Sequence, residues 1–312
     1  MQLEAQFAHA VAVLTEGRSD ARLGVAVSGG PDSMALLWLA TRAFPGRVEA
    51  VTVDHRLRAA SADEADMVGR WCAGAGVLHA VLTPEGAPTG NLQSWARAVR
   101  YRLIEGWRTA RVIDWIMTAH HADDQLETML MRLNRGSGVA GLAGIRARVG
   151  RVIRPLLAVR KAELVALARA EGLPFVDDPS NRDPRFDRAT MRAALEGADW
   201  LEPAAAARSA AALAQADEAL QWSVRALSEE RIAVDGDHVR IDPAGLPREY
   251  MRRLVLLALE QAAPDAALPR GEALDRVIDM AAAGGQASLG DWLLKGGERW
   301  TLHPAPPRRS TT

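Results

Sequence analysis

Two adjacent histidines stand just ahead of three acids in the run His120-His121-Ala122-Asp123-Asp124-Gln125-Leu126-Glu127. Placed on a helix, Asp124 and Glu127 lie at i and i+3 and share one face. A paired carboxylate face of this kind can bind a divalent cation or grip an ammonium. The same run also reads as a transition-metal site built from histidines and acids. A third reading makes Asp123 and Asp124 ordinary helix-dipole acids, but it leaves the two histidines unexplained.

A second cluster is Ser28-Gly29-Gly30-Pro31-Asp32-Ser33, which follows an apolar stretch and opens a helical pattern. Gly29 and Gly30 can take positive φ and let backbone N–H groups come close to an anion. The following helix aims its N-terminal amides at the same place, and the Ser28 and Ser33 hydroxyls add donors. A Walker A loop would need a Gly-Lys pair, and the chain has none. A dinucleotide fingerprint would need G-x-G-x-x-G, which this hexapeptide lacks. Pro31 suits the first helical position. The third cluster, Val53-Asp54-His55 with Arg58 close behind, ends another apolar run.

The elements that must position these clusters follow from periodicity. Residues 2–16 read as a short leading helix. Strands are expected at 23–27, 48–54, 78–82 and 114–118, with helices at 32–42, 63–75 and 92–107 and another over 119–133. Strands alternating with helices predict a parallel sheet covered on both faces. Ligands on such sheets lie beyond the carboxyl ends of the strands, where all three clusters fall. Residues 134–145 are too glycine-rich for a regular helix and read as a mobile loop. A helix at 161–171 and a polar loop at 174–188 come next. An alanine-rich helix over 202–227 then reads as a connector to a small mixed α/β domain. The expected organisation is therefore a catalytic domain over 1–199, a helical connector over 200–230 and a small domain over 231–312.

Charge is nearly balanced overall, with 38 basic and 39 acidic residues, so no global field marks a partner. The distribution is uneven. Residues 130–192 hold 13 Arg and Lys against 6 Asp and Glu, whereas 200–312 hold 13 against 16. A basic middle suggests one face meeting an anion such as nucleic acid. Cys72 is the sole cysteine, which excludes disulfides within the chain, CxxC redox chemistry and a multi-cysteine zinc site. No signal peptide is evident, and no uninterrupted apolar run reaches the roughly 18 residues of a membrane span. A cytoplasmic protein with no membrane partner is expected.

Strand-SGGPDS-helix resembles the PP-loop of the ATP-pyrophosphatase superfamily. More narrowly, the chain resembles the tRNA(Ile)-lysidine synthetases through VDHxLR (Asp54, His55, Arg58) and the His120–Glu127 cluster with the following Leu133, Arg135, Gly136, Ser137 and Gly138. Further matches come in order: Ala96, Arg97, Arg100 and Tyr101; Arg154, Pro155 and Arg160; Asp178, Pro179, Ser180 and Asn181. One departure is Ala189, where the family usually has asparagine between the retained Arg188 and Arg192. The C-terminal 110 or so residues match only loosely.

The resemblance implies that a wobble cytidine of an isoleucine tRNA with a CAU anticodon is adenylated by ATP and then joined at C2 to lysine. It implies that Ser28, Gly29, Gly30, Pro31, Asp32, Ser33, Val53, Asp54, His55 and Arg58 bind ATP, with Asp32 associated with Mg²⁺. Asp124 and Glu127 would hold free L-lysine. Asp32, Ser33, His120, Asp124 and Glu127 form the expected catalytic set. Arg97, Arg135, Arg154, Arg188 and Arg192 would meet tRNA phosphates, the C-terminal part would distinguish this tRNA from others, and a homodimer is left open. Two rivals stand beside this reading: another PP-loop tRNA-modifying enzyme such as a thiolase, and a nucleotide sensor binding ATP and RNA without chemistry.

Overall fold

The computed structural model describes residues 2–56, 61–86, 90, 92–176, 187–195, 197–264, 268–269 and 271–305. The chain divides into two compact units, Met1–Met131 with Ala143–Ala211, and Arg132–Leu142 with Ala212–Thr312.

In chain order the first unit is built from α1 (Gln2–Leu14), β1 (Leu23–Ala26), α2 (Pro31–Ala43), β2 (Val48–Val53), α3 (Ser61–Ala75), β3 (Leu78–Leu82), α4 (Leu92–Ala110), β4 (Trp115–Met117) and α5 (Ala122–Leu133). After the short α6 (Val139–Leu142), which belongs to the second unit, come β5 (Arg148–Val149), β6 (Val152–Ile153), α7 (Lys161–Ala170) and α8 (Asp187–Leu195) of the first. The sheet order is β3-β2-β1-β4-β6-β5. All neighbours run parallel except β5, which pairs antiparallel with β6.

The central strands are short apolar runs because both their faces are covered. Leu23 and Val25 of β1, Ala50 and Val51 of β2 and all of β4 are buried. The edge strand β3 is only partly covered. On one face α2 is apolar almost all round, with Met34, Leu36, Leu37 and Leu39 fully buried beside Phe7 of α1 and Leu164 of α7. On the other face α4 lays Ile104 and Trp107 over Val51, Ile113 and Ile116. Gly24 makes that second layer possible. A Cβ there would stand 2.7 Å from Ile116 Cδ1 and 2.8 Å from the Trp107 ring.

The expected helices and parallel strands are present, with ends shifted by at most four residues. Two features differ from the sequence reading. The stretch read as a loop contains the single-turn α6, and the β5–β6 hairpin turns about Gly150 at φ +54° where no strand was expected. Two-residue strands show no alternation to read. Cys72 is fully buried in α3.

The second unit holds most of α9 (Pro203–Arg231), then β7 (Ile232–Asp235), β8 (His238–Ile241), α10 (Arg248–Ala262), α11 (Glu272–Ala282), β9 (Gln286–Leu289), β10 (Trp292–Lys295) and β11 (Trp300–Pro304). Its sheet is antiparallel, in the order β7-β8-β11-β10-β9. Leu254, Val255 and Leu259 of α10 and Leu274 and Ile278 of α11 pack with Val239, Ile241, Leu294, Trp300 and Leu302 of the sheet. A buried ion pair ties α9 to α10, with Arg253 Nη2 donating to Asp217 Oδ1 at 2.7 Å. No helix among the described residues is long and apolar enough to cross a membrane.

Candidate active site

The chain leaves β1 to build β2 and β3 on one side, then returns to place β4 on β1's other flank. The strand order therefore reverses between β1 and β4, and a crevice opens there at the carboxyl ends. The two most chemically loaded loops border that crevice, one after each strand.

After β1, the backbone turns at Gly29 with φ +81°, a conformation costly for any residue with a Cβ. Gly30 is the N-cap of α2 with Pro31 as its first helical residue, and no side chain caps that end. The two serines brace the turn from within: Ser28 N donates to Ser33 Oγ at 3.1 Å, and Ser33 Oγ donates to Gly30 O at 2.9 Å. Ser28 Oγ and Ser33 Oγ lie 3.2 Å apart in a further hydrogen bond. Val176 N donates to Gly29 O at 3.0 Å and ties the loop down from outside. What results is a preformed concave turn at the positive end of a helix, suited to a phosphate.

Asp32 points from α2 into the crevice. Its Oδ1 is buried without a hydrogen-bond partner among the described residues, an acceptor left open for a cation or a ligand donor. Its Oδ2 lies 3.5 Å from His121 Nε2. His121 is 3% exposed, and its Nε2 is also 3.5 Å from Asp124 Oδ2. Burial opposes a charge on His121, yet the Asp32 hydrogen bond and the charges of Asp124, Asp32 and Asp123 outweigh it and raise its pKa above 6.5. One imidazole thus joins the phosphate loop to the acidic helix.

The start of α5 is fixed reciprocally. His121 N donates to Asp124 Oδ2 at 3.2 Å, and Asp124 N donates to His121 Nδ1 at 3.3 Å. Asp123 accepts from Lys161 N at 2.7 Å, serving the start of α7, with the same oxygen 3.7 Å from His121 Nδ1. Gln125 pins the loop at residue 145 from both sides, donating to Ile145 O at 2.9 Å and accepting from Ile145 N at 2.6 Å. Gly144 must stay small there, since its Cβ would fall 2.4 Å from Gln125 Oε1.

Asp124 and Glu127 do share a face, and both are buried, at 8% and 4% exposure. A single cation spans them. Arg192 of α8 donates through Nε to Glu127 Oε1 at 2.6 Å and through Nη2 to Glu127 Oε2 at 3.2 Å, with Asp124 Oδ1 at 3.5 Å. Burial works against the guanidinium charge, but Glu127 and Asp124 raise its pKa. His120, at the end of the loop after β4, has Nδ1 3.0 Å from Thr118 Oγ1.

Val53, the last residue of β2, is half-buried, and Asp54 beyond it accepts from Arg56 N at 2.8 Å. A hydrogen bond from Ser61, the Arg56 amide and nearby positive charge hold the Asp54 carboxyl below its usual range despite burial. Asp54 therefore shapes the turn. His55 is different: both ring nitrogens are buried without partners among the described residues. Burial and the Arg100 charge lower its pKa against the pull of Asp54, leaving a neutral ring 6.1 Å from that of Trp95. Such an open donor–acceptor pair beside an aromatic face suits a heterocycle. Arg58 and the Asp178–Asn181 motif lie outside the described residues.

Of the arginines expected on an RNA-facing surface, Arg97 is exposed and lies over the Tyr101 ring at 5.1 Å. Arg135 is exposed in the turn after α5. Arg188 falls in α8, with its side chain outside the described residues. Two more of that set are not on the open surface. Arg154 is 6% exposed and donates to Arg146 O at 2.7 Å, because it directly follows the buried strand β6. Arg192 turns inward to the acids because two buried carboxylates demand a cation more strongly than solvent does. The sequence reading also undervalued His121, whose position two residues ahead of an acid gave no hint that it faces Asp32 as well.

A family profile described as PP-loop domain matches residues 2–198. A protein of Zymomonas mobilis named tRNA(Ile)-lysidine synthase is 42% identical over 298 residues, covering 92% of this chain and 90% of that one. A protein of the same name from Novosphingobium aromaticivorans is 40% identical over 301 residues, covering 93% and 90%. Among solved structures, the U34-tRNA thiolase NcsA from Methanococcus maripaludis superposes with a TM-score of 0.55 at 17% identity, over 66% of this chain and 76% of that one. That last likeness concerns the fold.

Proposed function

The chain belongs to the tRNA(Ile)-lysidine synthase family of PP-loop proteins, and from that premise we propose how its residues divide the work of an ATP-dependent ligase acting on isoleucine tRNA. The reaction has two steps. O2 of the wobble cytidine in the CAU anticodon attacks the α-phosphorus of ATP, and pyrophosphate leaves. The ε-amine of free lysine then attacks C2, the C2–O2 bond breaks, and AMP departs with that oxygen. The ammonium of lysine must lose a proton before it attacks.

Gly29, Gly30, Pro31 and the first amides of α2 take the β- and γ-phosphates, with Ser28 and Ser33 bracing the turn. Gripping that end of ATP makes pyrophosphate the leaving group and leaves the α-phosphorus open to attack. Val53, Asp54 and His55 face the adenosine side, with His55 as the recognising ring and Asp54 as its scaffold. Asp32 would hold Mg²⁺, whose charge offsets that of the phosphates when bound. The unpartnered Oδ1 of Asp32 suits that assignment.

Asp124 and Glu127 hold the lysine ammonium, and His120 stands beside the reacting base. The observation that carries this division is His121, which touches Asp32 of the phosphate loop and Asp124 of the acidic pair at 3.5 Å each. The two half-reactions therefore share one crevice. Arg97, Arg135 and Arg188 supply phosphate contacts to the tRNA, while residues 231–312 and the helix before them select it. The target cytosine leaves its stack to reach the crevice, and the work is done in the cytoplasm.

The thiolase reading finds little support in Cys72, a fully buried thiol pushed up to about 11 by burial. The test is pyrophosphate release and incorporation of radiolabelled lysine with a cytidine-34 isoleucine tRNA. Labelled tRNA is the expected result. Pyrophosphate release without incorporation would defeat the lysine assignment, and ATP binding without pyrophosphate release would favour the sensor.

A further inference from the structure

We propose that Arg192 is the resting counter-ion of the lysine site: its guanidinium stands where the substrate ammonium goes, and lysine binding exchanges one cation for the other. The inference rests on the assignment of Asp124 and Glu127 to lysine.

The two acids are fixed. They sit on α5, whose first turn is held by the reciprocal His121–Asp124 bonds and by Ala122 N donating to Val159 O at 2.8 Å. Gln125, on the same turn, is bonded to Ile145 in both directions. Neither carboxylate can retreat to water, so a cation must stay with them.

The arginine is the movable partner. It reaches the acids from another element, α8, and its side chain keeps 30% of its surface exposed while that of Glu127 keeps 5%. Its hydrogen bonds among the described residues all go to Glu127 and Asp124. Withdrawing Arg192 uncovers two buried carboxylates spaced for one cation with several N–H donors. A primary ammonium has three such donors and one charge, which matches what the guanidinium supplies. An ammonium arriving as Arg192 leaves keeps the charge of the crevice constant through the exchange. The apparent affinity for lysine is then the intrinsic affinity multiplied by the fraction of molecules in which Arg192 has left the acids.

The test measures lysine binding by equilibrium dialysis on the full chain, for wild type and for Arg192→Gln, with circular dichroism to verify folding. Arg192→Gln is expected to tighten lysine binding by about tenfold, the inverse of an uncovered fraction of about one in ten. Millimolar guanidinium chloride should compete with lysine in this variant and restore weaker binding. In turnover, KM for lysine falls while KM for tRNA holds, which a phosphate contact by Arg192 would not produce. Weaker or unchanged lysine binding in Arg192→Gln overturns the exchange. Should that variant not fold, Arg192→Lys takes its place: its single shorter ammonium holds the acids less well, so a smaller tightening supports the exchange and none overturns it. Glu127→Gln and Asp124→Asn separate the two ideas. If both leave lysine binding intact, the lysine assignment falls and the exchange with it. If they abolish binding while Arg192→Gln weakens it, only the exchange falls.

Discussion

The loop after β1 and the helix after β4 face the same crevice but are built by opposite means. The phosphate loop is made of backbone and closed locally. Ser28, Gly30 and Ser33 satisfy one another within six residues, and Val176 N ties the loop's Gly29 O from afar. The acidic helix is made of side chains and completed at long range, by Arg192 across a sequence separation of 65 residues from Glu127. A neutral or anionic loop ligand needs amides held still, which a short segment can arrange alone. A pair of buried carboxylates needs counter-charge, which must be imported. The loop is thus preformed, whereas the acidic pair depends on a counter-charge brought from a distant part of the chain.

The sharpest way to separate the two regions is Glu127→Gln. Lysine incorporation should fall by about a thousandfold, within the range of lost proton-transfer and charge contacts, while pyrophosphate release on tRNA persists. Equal loss of both readouts would merge the regions into one function. Ser33→Ala should do the reverse, lowering pyrophosphate release by about a hundredfold and leaving equilibrium lysine binding unchanged. Gly29→Ala tests whether the loop is backbone-made. A Cβ at φ +81° costs about 1–2 kcal/mol, read as a lower midpoint in denaturant, with weaker ATP binding as the second readout.

The smallest effect concerns the link between them. The pKa of His121 is raised above 6.5 in the folded chain. Its contribution to stability is therefore fully present below 6.5 and is lost as pH rises through the raised value. Replacement by Gln should flatten the pH dependence of unfolding over that interval, and an imidazole resonance titrating below 6.5 in the folded protein would break the bridge.

Much of the site was legible in the residues. The hexapeptide after β1 is contiguous, and the i, i+3 spacing of Asp124 and Glu127 needs only a helix to bring them together. The parallel sheet was legible because strand and helix periods alternate over the first 120 or so residues. The β5–β6 hairpin escaped because its strands are two residues long, and α6 because glycines flank a single turn. The partners of Arg154 and Arg192 were not legible for one reason: arginine on a polar stretch looks the same whether it meets solvent, a carbonyl or a buried acid.

By itself the sequence determined which groups can do chemistry and on which local backbone they ride. Hydrogen bonds within six residues, helix faces and glycine turns are properties of neighbouring residues and can be read in order. Only the tertiary structure decided that Asp32 and Asp124 share His121, that Asp123 serves α7, and that Arg192 guards the acids. Those pairings are set by which charges are withdrawn from water together, and burial is a property of the whole packed unit.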